Sequence, residues 1–551
     1  MVSLLQDIIK KSLLDIWSLS VDGSTIVFTN PEDTRFGDLT CNIAFILAKR
    51  LKKSPPQIAQ ELAERLEKNL PKEFSKVEAV SGYINYTYSS EYFKSQLISI
   101  IQQGEKYGSP TSDQLPATSI QIEFVSANPT GPLHIGNARG GPIGDVLANV
   151  LEKVGCQVER EYYHNDVGGQ VERLGQSVYF RYLELSGRKI DFPQDGYQGD
   201  YVIDLAQLIK DADGDKWLSC PQDQAVDYFG KWATDYYLAQ ALSFCQNLGI
   251  RFDHVYKESE IASSGWTKKA IAKLDESGVL KEKDGAIWLA SHDEFLADRE
   301  SVVTKSDGSY SYFSNDIGYH WEKFNRGFDL VIDVWGANHH GHVTRMKSAM
   351  RSLGISPDRL EIILYQWVSL VSDGEKISMS KRSGNFFLAK ELLDEIGPDA
   401  FRFYFLSRGA EKPLELDTSL AKEQSNKNPV FYVQYAHARL CRLLEKTAEA
   451  GFFGALAVES SFSDPSELDL IRQLLVFPSL VREISLDFAV NKLTSYAVSL
   501  ADSFHRFYES CSILGAKSAS LSNSRTALAK AAKITLKNTL DLLAVRAPEE
   551  M

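Results

Sequence analysis

An alternating strand that breaks into a glycine- and proline-rich turn and then launches a helix constrains this chain more than any other stretch. Ile120-Gln-Ile-Glu-Phe-Val125 alternates as strands do. Asn128-Pro-Thr-Gly-Pro132 turns, and His134-Ile-Gly-Asn-Ala-Arg-Gly-Gly141 is a small-residue segment from which a helix rises. Strand, Gly-rich turn and helix in this order form the phosphate sites of α/β proteins, because helix N-terminal amides point at the anion. Glu123, Asn128 and His134 put polar side chains at the strand end, where parallel sheets bind ligands.

The residues after the turn extend the same pattern. From Asp145 to Val154 the apolar residues Val146, Leu147, Val150, Leu151 and Val154 make one helical face, stopped by Gly155. Val158 to His164 reads as a second strand, which completes a right-handed, parallel βαβ unit. A second half resumes later. It has a buried strand from Leu330 to Trp335, a loop at Gly336-Ala-Asn-His-His-Gly341, a helix from His342 to Leu353 and a strand from Glu361 to Leu370. Residues 185–300 are charged, rich in aspartate and aromatics, and lack this alternation, so an insertion is expected there. The fold class is α/β: a split, doubly wound, Rossmann-like parallel sheet with its ligand across the C-terminal strand ends.

A chain of 551 residues is too long for one ordinary domain. Residues 1–110 read as a small α+β unit, with helices from Val2 to Ile16 and Asn42 to Leu51 and a strand from Val77 to Tyr88. Residues 108–113 read as a linker, and 111–410 as the sheet domain. Beyond about 410 the chain reads as all helical to 551, over Glu423–Lys446, Asp469–Ile484, Leu486–Tyr508 and Ser524–Leu543.

The six cysteines form no Cys-x-x-Cys pair, which argues against a structural zinc and for a reducing, cytosolic setting. The N-terminus carries an acid and no long apolar core, so no signal peptide is expected, and no run reaches the ~20 apolar residues of a membrane helix. The net charge of −13 weighs against a nucleic-acid partner for the whole surface, but not for a local basic face. Lys49-Arg-Leu-Lys-Lys53 is one such cluster. A favourable helix C-terminus explains it as well as an RNA backbone does.

Three segments carry chemistry. At the first, His134 and Asn137 lie three apart at a helix start, and Gly136 leaves room for a flat ring against the backbone. The second, Gly374-Glu-Lys-Ile-Ser-Met-Ser-Lys-Arg-Ser-Gly-Asn385, is a Gly/Ser loop whose cations suit a polyphosphate. The third, Tyr312-Phe-Ser-Asn-Asp316 with Glu123, offers two carboxylates and a phenol to a cationic ligand such as a guanidinium.

Together these resemble the paired HIGH and KMSKS signatures of class I aminoacyl-tRNA synthetases. Glu123-Phe-Val-Ser-Ala-Asn-Pro-Thr-Gly-Pro-Leu-His134, Tyr163-His-Asn-Asp-Val-Gly-Gly-Gln170, Val334-Trp-Gly-Ala-Asn-His-His-Gly341 and Asp399-Ala-Phe-Arg402 are similar to the arginyl-tRNA synthetase family. So are Asn428-Pro-Val-Phe-Tyr-Val-Gln-Tyr435 and the terminal Pro548-Glu-Glu-Met551.

The resemblance implies that arginine and ATP, with Mg2+, give arginyl-adenylate, and that arginine then passes to the 3′ end of its tRNA. His134, Asn137 and Lys381 would be catalytic. Gly131, Gly136, Gly336, Asn338, His339 and Met379 would line the ATP site together with them. Glu123, Asn128, His134, Tyr312, Asp316 and Gln366 would bind arginine. Lys49, Arg50, Phe431, Tyr435 and Met551 would touch tRNA. No resident metal is expected, and the family implies a cytoplasmic monomer. The chain departs from the family signatures at Asn137, Ser378 and Asn338. A non-catalytic, synthetase-like RNA-binding protein is the alternative. Loss of His134, Lys381 or the Glu123/Asp316 pair would mark it, and all are present.

Overall fold

A computed structural model describes residues 2–31, 33–110, 118–290, 293–296, 300–372, 375–376, 387–454 and 462–551. Its centre is a five-stranded, all-parallel sheet in the order Leu360–Tyr365, Leu330–Gly336, Ser119–Glu123, Gln157–His164, His254–Lys257. The strand that opens the βαβ unit is therefore the middle one. Strand order reverses on either side of it, which is where a parallel sheet opens a crevice.

The expected insertion is only partly one. From 185 to 300 the chain forms helices Asp200–Asp213 and Gln222–Asn247 and then returns to the sheet as its edge strand, His254–Lys257. The four-residue strand lies between the long helix Gln222–Asn247 and the short helix Glu258–Ser264, and is too short to register as alternation. Helices Gly169–Leu185, Asp200–Asp213 and Gln222–Asn247 pack on one another around Leu174, Tyr182, Phe229 and Ala233. A three-stranded sheet then runs from Leu280 to Thr304.

Two other sequence readings need correction. The strand expected from Val77 to Tyr88 is a hairpin, Phe74–Val80 with Tyr83–Tyr88, turning at Ser81-Gly82, where both residues have positive φ. The strand expected from Glu361 to Leu370 is two strands in different sheets. Leu360–Tyr365 ends the main sheet, whereas Val368–Ser372 pairs parallel with Leu414–Asp417. That last strand also interrupts the all-helical reading beyond 410. Each break is only two residues long, Ser81-Gly82 and Gln366-Trp367, and a period-two pattern does not report where a strand turns or changes sheets.

The N-terminal unit has its own core, built on Leu5, Ile9, Leu13, Ile58, Leu62 and Ile84. The helices Pro429–Glu449, Pro465–Asp487, Asn491–Ser510 and Ala519–Leu543 do not. They share one apolar cluster with the parallel sheet, from Ile122 and Leu147 through Phe401 to Leu474, Phe504 and Leu540. Arg402 rivets this junction. Its fully buried guanidinium donates to the carbonyls of Leu543 and Leu248 and to Asp145 Oδ2 at 2.5 Å. Asp399, three residues earlier, accepts from the backbone and side chain of Arg546 and from Gln434.

Candidate active site

The middle strand ends in strained backbone. Val125 and Ser126 have φ of 69° and 34°, and a β-branched residue in that region is an outlier that only its surroundings can hold. Here the Phe124 amide donates to the Glu161 carbonyl, and Ser126 Oγ accepts from the Tyr163 amide. The sharp turn delivers Asn128 to the surface and His134 to the start of the short helix Ile135–Ala138.

His134 caps that helix, its Nδ1 accepting from the Asn137 amide at 3.3 Å. A Cβ added at Gly136 would meet the His134 ring at 3.1 Å. The ring that Gly136 accommodates is therefore the chain's own histidine. Backbone pairing then ties this turn to the far end of the later loop. His134 bridges Leu388, the Ile135 amide donates to the Phe387 carbonyl, and the Ala389 amide donates to the Leu133 carbonyl. The loop's near end is the hairpin pairing Val371 with Lys376. Met379, Lys381 and Ser378 themselves lie outside the described residues.

Across the sheet, Gly336 and Asn338 form a turn closed on itself, since a Cβ at Gly336 would fall 2.6 Å from Asn338 Oδ1. His339 is exposed beside Trp335. Gly131 packs against the Tyr201 ring. Gln366 is anchored by its backbone, its carbonyl accepting from Arg139 at 2.8 Å and its amide donating to Ala410.

The register of the sheet sets Asp333, Glu123 and Glu161 abreast on three neighbouring strands. Three buried carboxylates side by side repel one another unless cations meet them. The helix Tyr312–Asn325 and the residue after it supply basic groups from positions 320, 323 and 326 and a hydroxyl from Tyr319, all on one helical face. Lys323 Nζ reaches Glu123 Oε2 at 2.7 Å and Asp333 Oδ1 at 2.9 Å, and His320 Nε2 reaches Asp333 Oδ2 at 2.8 Å. Arg326 grips Glu161 with two nitrogens at 2.6 and 3.0 Å, and Tyr319 donates to it as well.

Burial pushes both Asp333 and Glu161 up, but the cations outweigh it and hold each at about 2. For Glu123 burial wins over Lys323, and its carboxyl rises. This corrects the expectation that Glu123 faces a substrate guanidinium. It is 5% exposed and engaged by Lys323. Glu159, Glu161 and His254 have the spacing of metal ligands, but Arg326 NH1 already lies within hydrogen-bond distance of all three.

The cation-seeking group that sequence reasoning missed is Glu258. It is 3% exposed, and among the described residues its oxygens accept only from two neutral amides, Asn165 Nδ2 at 2.9 Å and Asn315 Nδ2 at 3.3 Å. Burial raises its carboxyl, with the charges of Asp316 and Asp166 adding to the rise. Beside it the Tyr163 hydroxyl is buried with no hydrogen-bond partner among the described residues, in the combined field of Glu258, Asp316, Glu123 and Asp166. Asp166 is spent on the Ser259 amide and hydroxyl. Tyr312 is exposed, its hydroxyl accepting from the Gly169 amide at 3.2 Å, and Asp316 meets His342 Nε2 at 3.0 Å. The structure thus brings Tyr312, Asp316, Tyr163 and Glu258 into one acidic recess. Nothing around Glu258 in the sequence marks it, because the strand just before it is too short to read.

The remaining expected residues lie elsewhere. Lys49 and Arg50 are exposed on the last turn of helix Ile43–Leu51, next to exposed Phe45, Ile46 and Tyr83. Phe431 and Tyr435 stack in parallel 6.1 Å apart. Phe431 and the exposed Met551 border a cleft of about 540 Å³ that also takes in Asp399, Gln434 and Arg546. Among the described residues no helix is long and apolar enough to cross a membrane.

Comparison with known proteins agrees along the whole chain. Residues 3–88 match the arginyl-tRNA synthetase N-terminal domain, 222–404 the class I (R) tRNA synthetase catalytic domain, and 433–551 the DALR anticodon-binding domain. The arginine–tRNA ligase of Carboxydothermus hydrogenoformans is 41% identical over 525 residues, covering 95% of this chain and 93% of the relative. That of Bacillus subtilis is 38% identical over 527 residues, covering 96% and 94%. The arginyl-tRNA synthetase of Thermus thermophilus superposes with a TM-score of 0.77 over both entire chains at 22% identity, a likeness of fold.

Proposed function

The chain belongs to the arginyl-tRNA synthetase family, and from that premise we propose how its own residues divide the charging of arginine tRNA. The enzyme is an arginine–tRNA ligase: ATP activates the arginine carboxylate, pyrophosphate leaves, and the arginyl group passes to tRNA.

The observation that carries the amino-acid specificity is the acidic recess. Among the described residues Glu258 is a buried carboxylate with no cation on it, next to Asp316 and to a Tyr163 hydroxyl that none of them bonds. A substrate guanidinium supplies five donors in a fork and relieves that burial. A neutral side chain would bring no cation to either carboxylate, so the site discriminates without a second, editing step. Glu123 takes part at one remove, by holding Lys323. Tyr312 and Asn128 border the recess, and Gln366, just past the edge strand Leu360–Tyr365, serves the α-amino and carboxylate end.

ATP lies on the other side of the turn. Gly131, Gly336, Asn338 and His339 line its adenosine, and Gly136 leaves room for the His134 ring. His134 and Asn137, at a helix N-terminus, meet the phosphates as charge moves onto pyrophosphate. In-line displacement at phosphorus needs positioning and charge neutralisation more than acid–base chemistry. Lys381, with Met379, completes this from the loop whose return end is stitched to His134. Mg2+ arrives as the counter-ion of the nucleotide's phosphates. Lys49 and Arg50 would meet the tRNA backbone. Phe431, Tyr435 and Met551 would meet unstacked bases, which proteins hold by stacking. A cytoplasmic monomer, divided as 1–110, 111–410 and 411–551, is the form we propose.

The test is ATP–pyrophosphate exchange driven by arginine, with and without arginine tRNA. Exchange in neither condition overturns the catalytic assignment. Exchange with lysine but not arginine overturns the recess.

A further inference from the structure

Asp316 does not stand alone beside the recess. His342, on the first turn of helix His340–Ser352, points Nε2 at Asp316 Oδ2 (3.0 Å), and Arg345 one turn on donates its Nε–H to His342 Nδ1 at 2.8 Å. A guanidinium only donates, so Nδ1 must carry the lone pair and the imidazole proton must sit on Nε2, facing the carboxylate. The ring is clamped between Phe313 and Trp335, each 5.4 Å away, and its side chain is 11% exposed. Arg345 lies over the Phe313 ring at 4.9 Å. Burial lowers its guanidinium, and Asp316 is the charge that opposes the shift. The enzyme thus keeps an arginine side chain of its own one imidazole away from the carboxylate assigned to the substrate's guanidinium.

We propose that His342 is a positioning residue for arginine binding: it orients Asp316 and, by occupying the space between them, keeps Arg345 from pairing with Asp316 in the substrate's place. The inference rests on the reading that Asp316 takes the guanidinium. Its chemistry is one of competition. Among the described residues Arg345 has no carboxylate of its own, and a half-buried guanidinium gains more from a nearby carboxylate than from a neutral ring nitrogen. With the ring removed, Arg345 reaches Asp316 and acts as an internal competitor of arginine. With the ring present, Oδ2 of Asp316 is tied to His342 and Oδ1 is left for the substrate.

The test measures Michaelis constants in tRNA charging for four variants. His342→Ala is expected to raise the arginine KM about 10-fold or more, with ATP and tRNA values within about twofold, since a charge-assisted pair is at stake. Arg345→Met alone is expected to leave the arginine KM within about threefold, because one tied lone pair is all it loosens. The double variant should return most of the way to the Arg345→Met value, a recovery that a purely structural role for His342 does not produce. If His342→Ala does not fold, His342→Gln with and without Arg345→Met carries the same comparison.

An unchanged arginine KM in His342→Ala, or a double variant as impaired as the single, overturns the inference. Asp316→Asn separates the two levels. If its arginine KM is also unchanged, the guanidinium does not sit at Asp316 and the reading beneath the inference fails. If it is raised while that of His342→Ala is not, only the inference fails.

Discussion

Lys323 Nζ lies 2.7 Å from Glu123 Oε2, although 200 residues separate them in the chain, and both side chains are buried. The ion pair pins the Tyr312 helix to the middle strand directly beneath the recess. Removing the cation alone leaves Glu123 buried without its partner and Asp333 with His320 alone. Lys323→Met is expected to lower stability by about 3–5 kcal/mol, as broken buried pairs do. Adding Glu123→Gln should restore part of it. Denaturant unfolding of both variants checks this, and a loss under about 1 kcal/mol in Lys323→Met would contradict the network.

Asp316→Asn and Glu258→Gln each remove one negative charge from the recess without changing its shape. Each is expected to raise the arginine KM roughly 10- to 100-fold, the worth of a hydrogen bond to a charged group, and to leave the ATP KM nearly alone. Steady-state charging over a range of arginine concentrations reads this directly. A matched loss for ATP would place these acids on the nucleotide side.

Glu161 links stability to pH. Its carboxyl is lowered from 4.5 to about 2: burial pushes it up, but His254 and Arg326 outweigh that. A carboxyl depressed on folding stabilises fully above its unfolded value and loses that stabilisation as pH falls. The window therefore runs from about pH 4.5 down to about 2, and the contribution is on the order of 3 kcal/mol. Glu161→Gln should be less stable at neutral pH and show a flatter acid limb. Melting curves across that range test it, and a limb as steep as that of the unmodified protein would shift the linkage to other groups.

Gly136→Ala sets a methyl 3.1 Å from the His134 ring, closer than nearly all real contacts. The imidazole must move a few tenths of an ångström. Turnover is expected to fall about 10-fold through mispositioning, with the arginine KM and the melting temperature little changed. A variant of normal turnover would mean that the His134 ring position is not used in the reaction.

Much of the site was legible because it is local. The strand, turn and capped helix from Glu123 to Asn137 sit within one stretch, and so does the Tyr312–Asp316 pair on one helical turn. Glu123 was legible as a polar residue at a strand end, but its partner was not. An acid in a buried strand shows that a cation is needed without saying which of the chain's lysines and arginines provides it. Glu258 was illegible for a related reason. It comes just after a four-residue edge strand inside a segment with no periodic signal, and only the parallel pairing of that strand with Gln157–His164 brings it beside Asn165 and Asn315.

The sequence by itself determined the parallel α/β class, the strand–turn–helix that holds His134, the helical C-terminal part and the family. Each is set by short-range periodicity, turn chemistry or a contiguous motif. The tertiary structure alone decided which carboxylates are spent and which remain open. Register places Glu123, Asp333 and Glu161 abreast under Lys323 and Arg326, and leaves Asp316 to His342 and Glu258 to two amides. Pairing of charges is settled by distance in space and by exclusion of water, and neither is written in the spacing of residues along the chain.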